Sequence, residues 1–171
     1  MIAEKQLNWF VIKTRSRAEQ KVAQRISAKG LNVYLPLQKT IRQWSDRKKK
    51  VEVPLISSTL FIQTEEKSLA VLYNIPGFHS ILHFLGKPAI VREDEINNLK
   101  LLLKDGIEIE DGNFEDFKKG ESIEVIRGPL QGIIATSIDD GRTHKLIVEI
   151  ESMEQRFIVH IPKSCVRKVN V

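Results

Sequence analysis

From Asn8 to Thr14 the chain runs Trp9-Phe10-Val11-Ile12 without a polar break, the pattern of a buried strand. Arg15 to Gly30 changes period. Ala18, Val22 and Ile26 recur every four residues, which predicts a helix with one apolar stripe, and Gly30 is placed to stop it. Leu31–Gln43 returns to strand, with Val33, Leu35 and Leu37 alternating. A hairpin follows: Arg42–Ser45, a turn at Asp46–Lys50, and a return segment Val51–Gln63. Val51, Val53 and Leu55 alternate with Glu52 and Pro54, as in a half-buried strand. Pro54 has no N–H for a ladder, so the strand is expected to break or lie at an edge there. Thr59–Gln63 then has the apolar density of a sheet interior.

Beyond the hairpin, Glu65–Asn74 predicts a short helix packed through Leu69, Leu72 and Tyr73. Pro76-Gly77 punctuates the chain, Phe78–Phe84 reads as a strand, Gly86–Lys87 as a turn and Ala89–Val91 as a further short strand. Glu93–Lys104 reads as a helix with Ile96, Leu99 and Leu103 facing a core and acids at its start. Asp105–Asp116 holds six acids, no base and two glycines, the composition of a linker. After it no helical period appears. Ile123/Val125, Leu146/Val148/Ile150 and Phe157/Val159/Ile161 alternate between turns at Gly128-Pro129, Asp139–Arg142 and Ser152–Glu154, which predicts a small β-barrel. The expected fold class is α+β, an antiparallel sheet with helices in an RRM-like α/β sandwich plus the barrel, divided as residues 1–104, a linker at 105–117 and 118–171.

Charge sharpens this division. Residues 1–104 carry eighteen Lys/Arg against nine Asp/Glu, whereas 105–171 carry nine against thirteen. A basic first half suggests nucleic acid nearby, although a solvated lysine-rich surface has the same composition. Cys165 is the single cysteine, so no disulfide framework forms within the chain. No apolar run approaches the length of a membrane span, and the first residues have no apolar signal core, so a cytoplasmic protein without membrane contact is expected.

Catalytic chemistry finds little support. No Ser/His/Asp or Cys/His arrangement, P-loop or dinucleotide motif appears. His79 and His83 are four apart in a predicted strand without a completing carboxylate or cysteine, so neither a metal nor a cofactor is expected. Asp139 and Asp140 sit where a turn favours Asp, and Cys165 reads as a small core residue. Two kinds of binding feature remain. Trp9, Phe61 and Phe84 read either as core aromatics or as parts of an apolar depression. Arg17, Lys21, Arg25 and Lys29 make a basic stripe that continues from Lys13 and Arg15, either a solvated helix face or a track for phosphates. The hairpin turn adds Arg47, Lys48, Lys49 and Lys50.

The segment Trp44–Leu55 with Leu60-Phe61-Ile62 resembles the central hairpin of the NusG N-terminal (NGN) domain, most nearly that of the specialised RfaH and UpxY kind. Trp9–Thr14 resembles the family's opening strand, and Gly77, Phe84, Gly86 and Pro88–Val91 its late strands. Phe117–Ile126 and Gly128–Gly132 resemble the start of a KOW domain, an SH3-like barrel. The resemblance implies a non-enzymatic, monomeric transcription elongation factor and antiterminator that suppresses pausing or termination, with surface-polysaccharide operons as targets. It implies that Trp9, Thr59, Phe61, Ile81 and Phe84 receive the clamp helices of the largest RNA polymerase subunit. It also implies that the basic helix face meets non-template DNA, that Arg47–Lys50 meets upstream DNA, and that the KOW domain binds ribosomal protein S10 or the termination factor Rho. The alternatives are a ribosome- or translation-associated RNA-binding KOW protein and, with less support from the residues, an RNA-processing enzyme.

Overall fold

The computed structural model describes residues 6–104, 109–110, 120–128, 130–139, 144–150, 155–161 and 163–169. The chain divides into two compact units, Met1–Glu93 and Asp94–Val171.

In the first unit, β1 (Asn8–Thr14) leads to α1 (Glu19–Ala28), β2 (Asn32–Tyr34), β3 (Leu37–Gln43), β4 (Lys48–Pro54) and β5 (Thr59–Thr64). A 3-10 helix (Glu66–Asn74) follows, then β6 (Phe78–Ile81), β7 (His83–Phe84), β8 (Lys87–Pro88) and β9 (Ile90–Val91). The main sheet has the order β2-β5-β1-β6, with β9 also on β1, and every pairing is antiparallel. Phe10 and Ile12 of β1 and Leu60 and Ile62 of β5 point to one face. There they meet Val22 and Ile26 of α1 and Leu69, Leu72 and Ile75 in and after the 3-10 helix. Removing each such side chain from water contributes roughly 1.5–3 kcal/mol, and this cluster is what holds the helical layer on the sheet.

Several boundaries differ from those the periodicity predicts. The first helix starts at Glu19, not Arg15. The Thr14 and Arg15 N–H groups donate to Ser58 O and Gly77 O, and Arg17 has φ of 61°, so the chain turns there before it coils. Leu31–Gln43 is two strands split at Leu35-Pro36, because Pro36 has no N–H for a ladder. The hairpin turn is shorter than expected. Trp44 N–H donates to Arg47 O at 2.8 Å, and Lys48, Lys49 and Lys50 belong to β4. Cross-strand pairing outweighs the weak strand preference of lysine. As expected, the strand ends at Pro54. Glu65–Asn74 forms a 3-10 rather than an α-helix, and Tyr73 lies exposed with its ring edge-on to Phe78. Phe78–Phe84 breaks at Leu82, whose N–H donates to Val11 O. The next turn is Leu85-Gly86, one residue earlier than predicted.

The second unit contains α2 (Glu93–Leu102), whose first residue closes the first unit, and then β10 (Ile109–Glu110). Four longer strands follow, β11 (Ser122–Val125), β12 (Ile134–Asp139), β13 (His144–Ile150) and β14 (Gln155–Ile161), and then β15 (Val166–Lys168). In α2 the buried residues are Glu95, Ile96, Leu99 and Leu102; Leu103, expected inside, is only half-buried. Two residues of the expected linker, Ile109 and Glu110, form a strand on β14, and the remainder of 105–117 lies outside the described residues. The strands pair antiparallel in the order β10-β14-β13-β12-β11-β15. Phe157, Ile158 and Val159 are buried in succession, so β14 is covered on both faces. Around the expected Gly128–Gly132 turn, Gln131 N–H donates to Gly128 O and Gly132 N–H to Val125 O, while Pro129 lies outside the described residues. The turns expected at Asp139–Arg142 and Ser152–Glu154 fall almost wholly outside the described residues.

Gly77 tests the packing of α1. Its φ is +92°, and a Cβ there would lie 2.9 Å from Val22 Cγ2 and 3.3 Å from Ala18 Cβ. Gly77→Ala is expected to destabilise the protein by about 1–3 kcal/mol through backbone strain and this crowding. Urea unfolding of the variant against wild type measures the difference.

Candidate functional site

The five residues that resemblance assigns to polymerase do not share one surface. Phe61 pairs with Val11 and Thr59 with Lys13, whereas Ile81 pairs with Ile12. Opposed residues share a face and neighbours alternate, so Ile81 lies on the opposite face of the sheet from Phe61 and Thr59. Ile81 is part of the core under α1. Trp9, Thr59 and Phe61 are all buried. Trp9 Nε1 donates to Glu93 Oε2 at 2.6 Å, and the Phe61 ring lies 6.1 Å from that of Tyr34. Burial pushes the Tyr34 hydroxyl up to about 12. Of the five, Phe84 alone is exposed, at 63%.

Phe84 stands at the end of a second small hairpin. β7 and β8 pair through His83–Pro88 and Phe84–Lys87, joined by Leu85-Gly86. Both turn residues have positive φ, 49° and 80°, the pattern of the type I′ turns that match the twist of a hairpin. Leucine at such φ is uncommon and costs of order 1–2 kcal/mol. Leu85 is also 88% exposed. His83 Nδ1 lies 2.9 Å from Ile81 O and His79 Nδ1 lies 3.0 Å from Ser80 Oγ.

The basic stripe separates into different environments. Lys13 sits on the sheet, not on the helix. It is half-buried, and its ammonium donates to Thr59 Oγ1 at 2.8 Å. Desolvation holds its pKa below the usual lysine value. Arg15 and Arg17 precede α1 in the turn, and Lys29 caps its C-terminal end. Lys21 and Arg25 remain on the exposed helix face, with Arg25 Nη1 donating to Pro76 O at 2.5 Å. Glu19, the acid within the stripe, turns inward and accepts from Ser58 N–H at 2.8 Å.

The β3–β4 hairpin forms a two-stranded sheet of its own, separate from the main sheet. Residues 41–50 are all exposed. The register sets Ile41 opposite Lys50, Arg42 opposite Lys49 and Gln43 opposite Lys48. Six cations, Lys39, Arg42, Arg47, Lys48, Lys49 and Lys50, face two acids over Leu37–Pro54. Asp46 lies 3.9 Å from Arg47 at the exposed tip, where such a pair contributes little. Sequence reasoning singled out Arg47–Lys50 but missed Arg42, Trp44 and Leu85 as surface groups. A large apolar residue inside a polar run, as Trp44 is between Gln43 and Ser45, was the signal available.

These features are a two-layer first unit with a protruding basic ribbon, followed by a strand-built second unit. The family model "Transcription termination factor nusG" matches residues 7–100 of the chain. The chain belongs to the NusG family. In fold it is similar to the solved structure "Domain interaction in Thermotoga maritima NusG", at 20% identity over 96% of this chain and 98% of that one, with a TM-score of 0.52. The structure "Crystal Structure of MjSpt4:Spt5 complex conformation B" aligns over 95% of this chain and 97% of that one at 19% identity, with a TM-score of 0.32. No curated protein matches. No described helix is long and apolar enough to cross a membrane.

The burial difference between the two phenylalanines gives a direct check. Phe61→Ala is expected to cost about 3–5 kcal/mol of stability, and Phe84→Ala less than about 0.5 kcal/mol. Thermal and urea unfolding of the two variants, side by side, measure both.

Proposed function

We propose that this NusG-family protein is a non-enzymatic transcription elongation factor of the specialised RfaH/UpxY kind, acting as an antiterminator. The first unit docks on the clamp helices of RNA polymerase, and bound factor opposes the paused, open-clamp state. It shifts that equilibrium only as far as its affinity differs between the two states. Residues 118–171 serve as a KOW barrel that recruits a further partner, ribosomal protein S10 or Rho, and surface-polysaccharide operons are the expected targets.

The observation that carries docking is the Phe84-Leu85 tip. Exposing a leucine in a left-handed conformation beside an exposed phenylalanine lowers stability and contributes nothing to the core. Strain and apolar exposure of this sort are what a partner's groove repays. Docking is therefore assigned to Phe84 and its turn, with Trp9, Thr59, Phe61 and Ile81 supporting the sheet beneath. The basic ribbon, with Lys21 and neighbouring cations, lies against non-template or upstream DNA. Its affinity there is electrostatic and salt-dependent.

An affinity pull-down from lysate is expected to recover polymerase subunits; recovery of ribosomal proteins alone would overturn the reading. In titrations against a clamp-helix fragment, the double variant Phe84→Ala/Leu85→Ala is expected to lose ~2 kcal/mol or more of binding while remaining folded. Replacing Lys48, Lys49 and Lys50 by Ala is expected to lower the log–log salt slope of DNA binding by roughly one unit per lost contact. An unaltered slope would return these lysines to the role of a solvated surface.

A further inference from the structure

The ribbon carries two exposed apolar residues, Ile41 on β3 and Trp44 at the tip, and it is the aromatic one at the tip that neither electrostatics nor folding accounts for. Trp44 is 58% exposed at its tip. Lysines along an open strand edge deter pairing with another chain, and that alone would justify Lys48–Lys50. An exposed indole works in the opposite direction, because it adds apolar surface to an edge that the lysines protect. The ribbon's cations are also not arranged for stability. Arg42 and Lys49 stand directly opposite one another, and like charges so placed destabilise a two-stranded pair. Strand alternation carries Trp44 to the face that bears Arg42 and Lys49, and the Trp44–Arg47 hydrogen bond brings Arg47 to the same tip. The acid Glu52 lies opposite Lys39 on the other face.

An aromatic plane at the end of a cationic track matches one kind of ligand chemistry: a polyanion with free π-faces. Duplex DNA supplies the charge but keeps its bases stacked. Single strands supply both, and base–aromatic stacking adds to the phosphate term without depending on sequence. We infer that the ribbon face bearing Arg42 and Lys49, with Trp44 and Arg47 at its tip, binds single-stranded nucleic acid by stacking an unpaired base on the Trp44 indole. The cations hold the adjoining phosphates, and Trp44 distinguishes a melted strand from a paired one. This inference rests on the reading of the ribbon as a nucleic-acid surface and adds to it the strand state that the ribbon selects.

The chain has two tryptophans, and Trp9 is only 5% exposed. Intrinsic fluorescence quenched by a ligand therefore reports chiefly on Trp44. The test uses the full chain, a short oligodeoxythymidylate and a duplex of the same length. Wild type is expected to bind the single strand more tightly than the duplex, with its tryptophan emission quenched. Trp44→Ala is expected to weaken single-strand binding about ten-fold or more, with duplex affinity and salt slope unchanged. Trp44→Phe, which keeps a π-face, is expected to restore most of the loss. Melting curves of both variants separate loss of binding from loss of folding. Single-strand affinity unchanged in Trp44→Ala, or a wild-type preference for duplex, overturns the stacking role while the electrostatic reading of the ribbon stands. Failure of wild type to bind either strand form overturns both.

Discussion

β1 has no free side. It pairs with β5 along one edge and with β6 and β9 along the other, and both of its faces are buried: Phe10 and Ile12 on the helical side, Trp9 and Val11 on the reverse. A strand in this position has to be apolar at successive residues rather than at alternate ones. The run Trp9-Phe10-Val11-Ile12 follows from that requirement, and so does Leu60-Phe61-Ile62 on β5. Polar groups enter only at the two ends of the pair: Asn8 faces Thr64 and Trp9 faces Gln63 at one, and at the other Lys13 meets Thr59, where both side chains are hydrogen-bonded. The middle of the sheet is therefore committed to holding the unit together. What projects from it is free of that duty: the outer face of α1, the β7–β8 tip and the β3–β4 ribbon.

This explains which parts of the molecule were legible. Strand positions and the break at Pro54 follow from local period and from proline's missing donor, and both can be read directly. The sharing of a face by residues far apart in sequence cannot. Phe61 and Ile81 are both apolar and both in strands, yet the register sets them back to back, because Phe61 pairs with Val11 and Ile81 with Ile12. Where a strand is buried on both sides, its composition no longer indicates which side a residue occupies. The early helix start was misplaced for a related reason. The N–H groups of Thr14 and Arg15 are taken by Ser58 and Gly77, partners 44 and 62 residues away, and no local pattern announces them.

Charge shows the same limit. A basic first half was visible by counting, but counting treated Lys13, Lys21 and Arg25 as one stripe. The fold puts Lys13 in a partly desolvated seat, ties Arg25 to Pro76 O and leaves Lys21 exposed. Screening in physiological salt limits cooperation between exposed charges to about 8 Å. Cations facing one another across a ribbon fall within that range, since strands lie about 5 Å apart. Lys21 and Arg25, one turn apart on α1, fall within it as well, but Arg25 is tied to Pro76 O and the ribbon sets six cations against two acids, so the ribbon, more than the helix, is the electrostatic feature of the first unit.

A two-stranded ribbon is marginal in water by itself, and this one also carries opposed like charges and an exposed indole. It persists because its base is anchored. β3 and β4 end at Leu37 and Pro54, where Leu55 N–H donates to Pro36 O at 2.8 Å and Leu55 and Ile56 turn into the buried interior. The unit thus fixes the ribbon at the end where apolar residues sit and leaves the other end in solvent. Such a ribbon can tolerate unfavourable groups at its tip in proportion to the strength of its anchor. The local rules of sheet stability are broken at Arg42/Lys49, Trp44 and Leu85, all on projecting hairpins, and they hold in the sheet that supports them. That division is expected when the projections are shaped by what they touch rather than by what they stabilise.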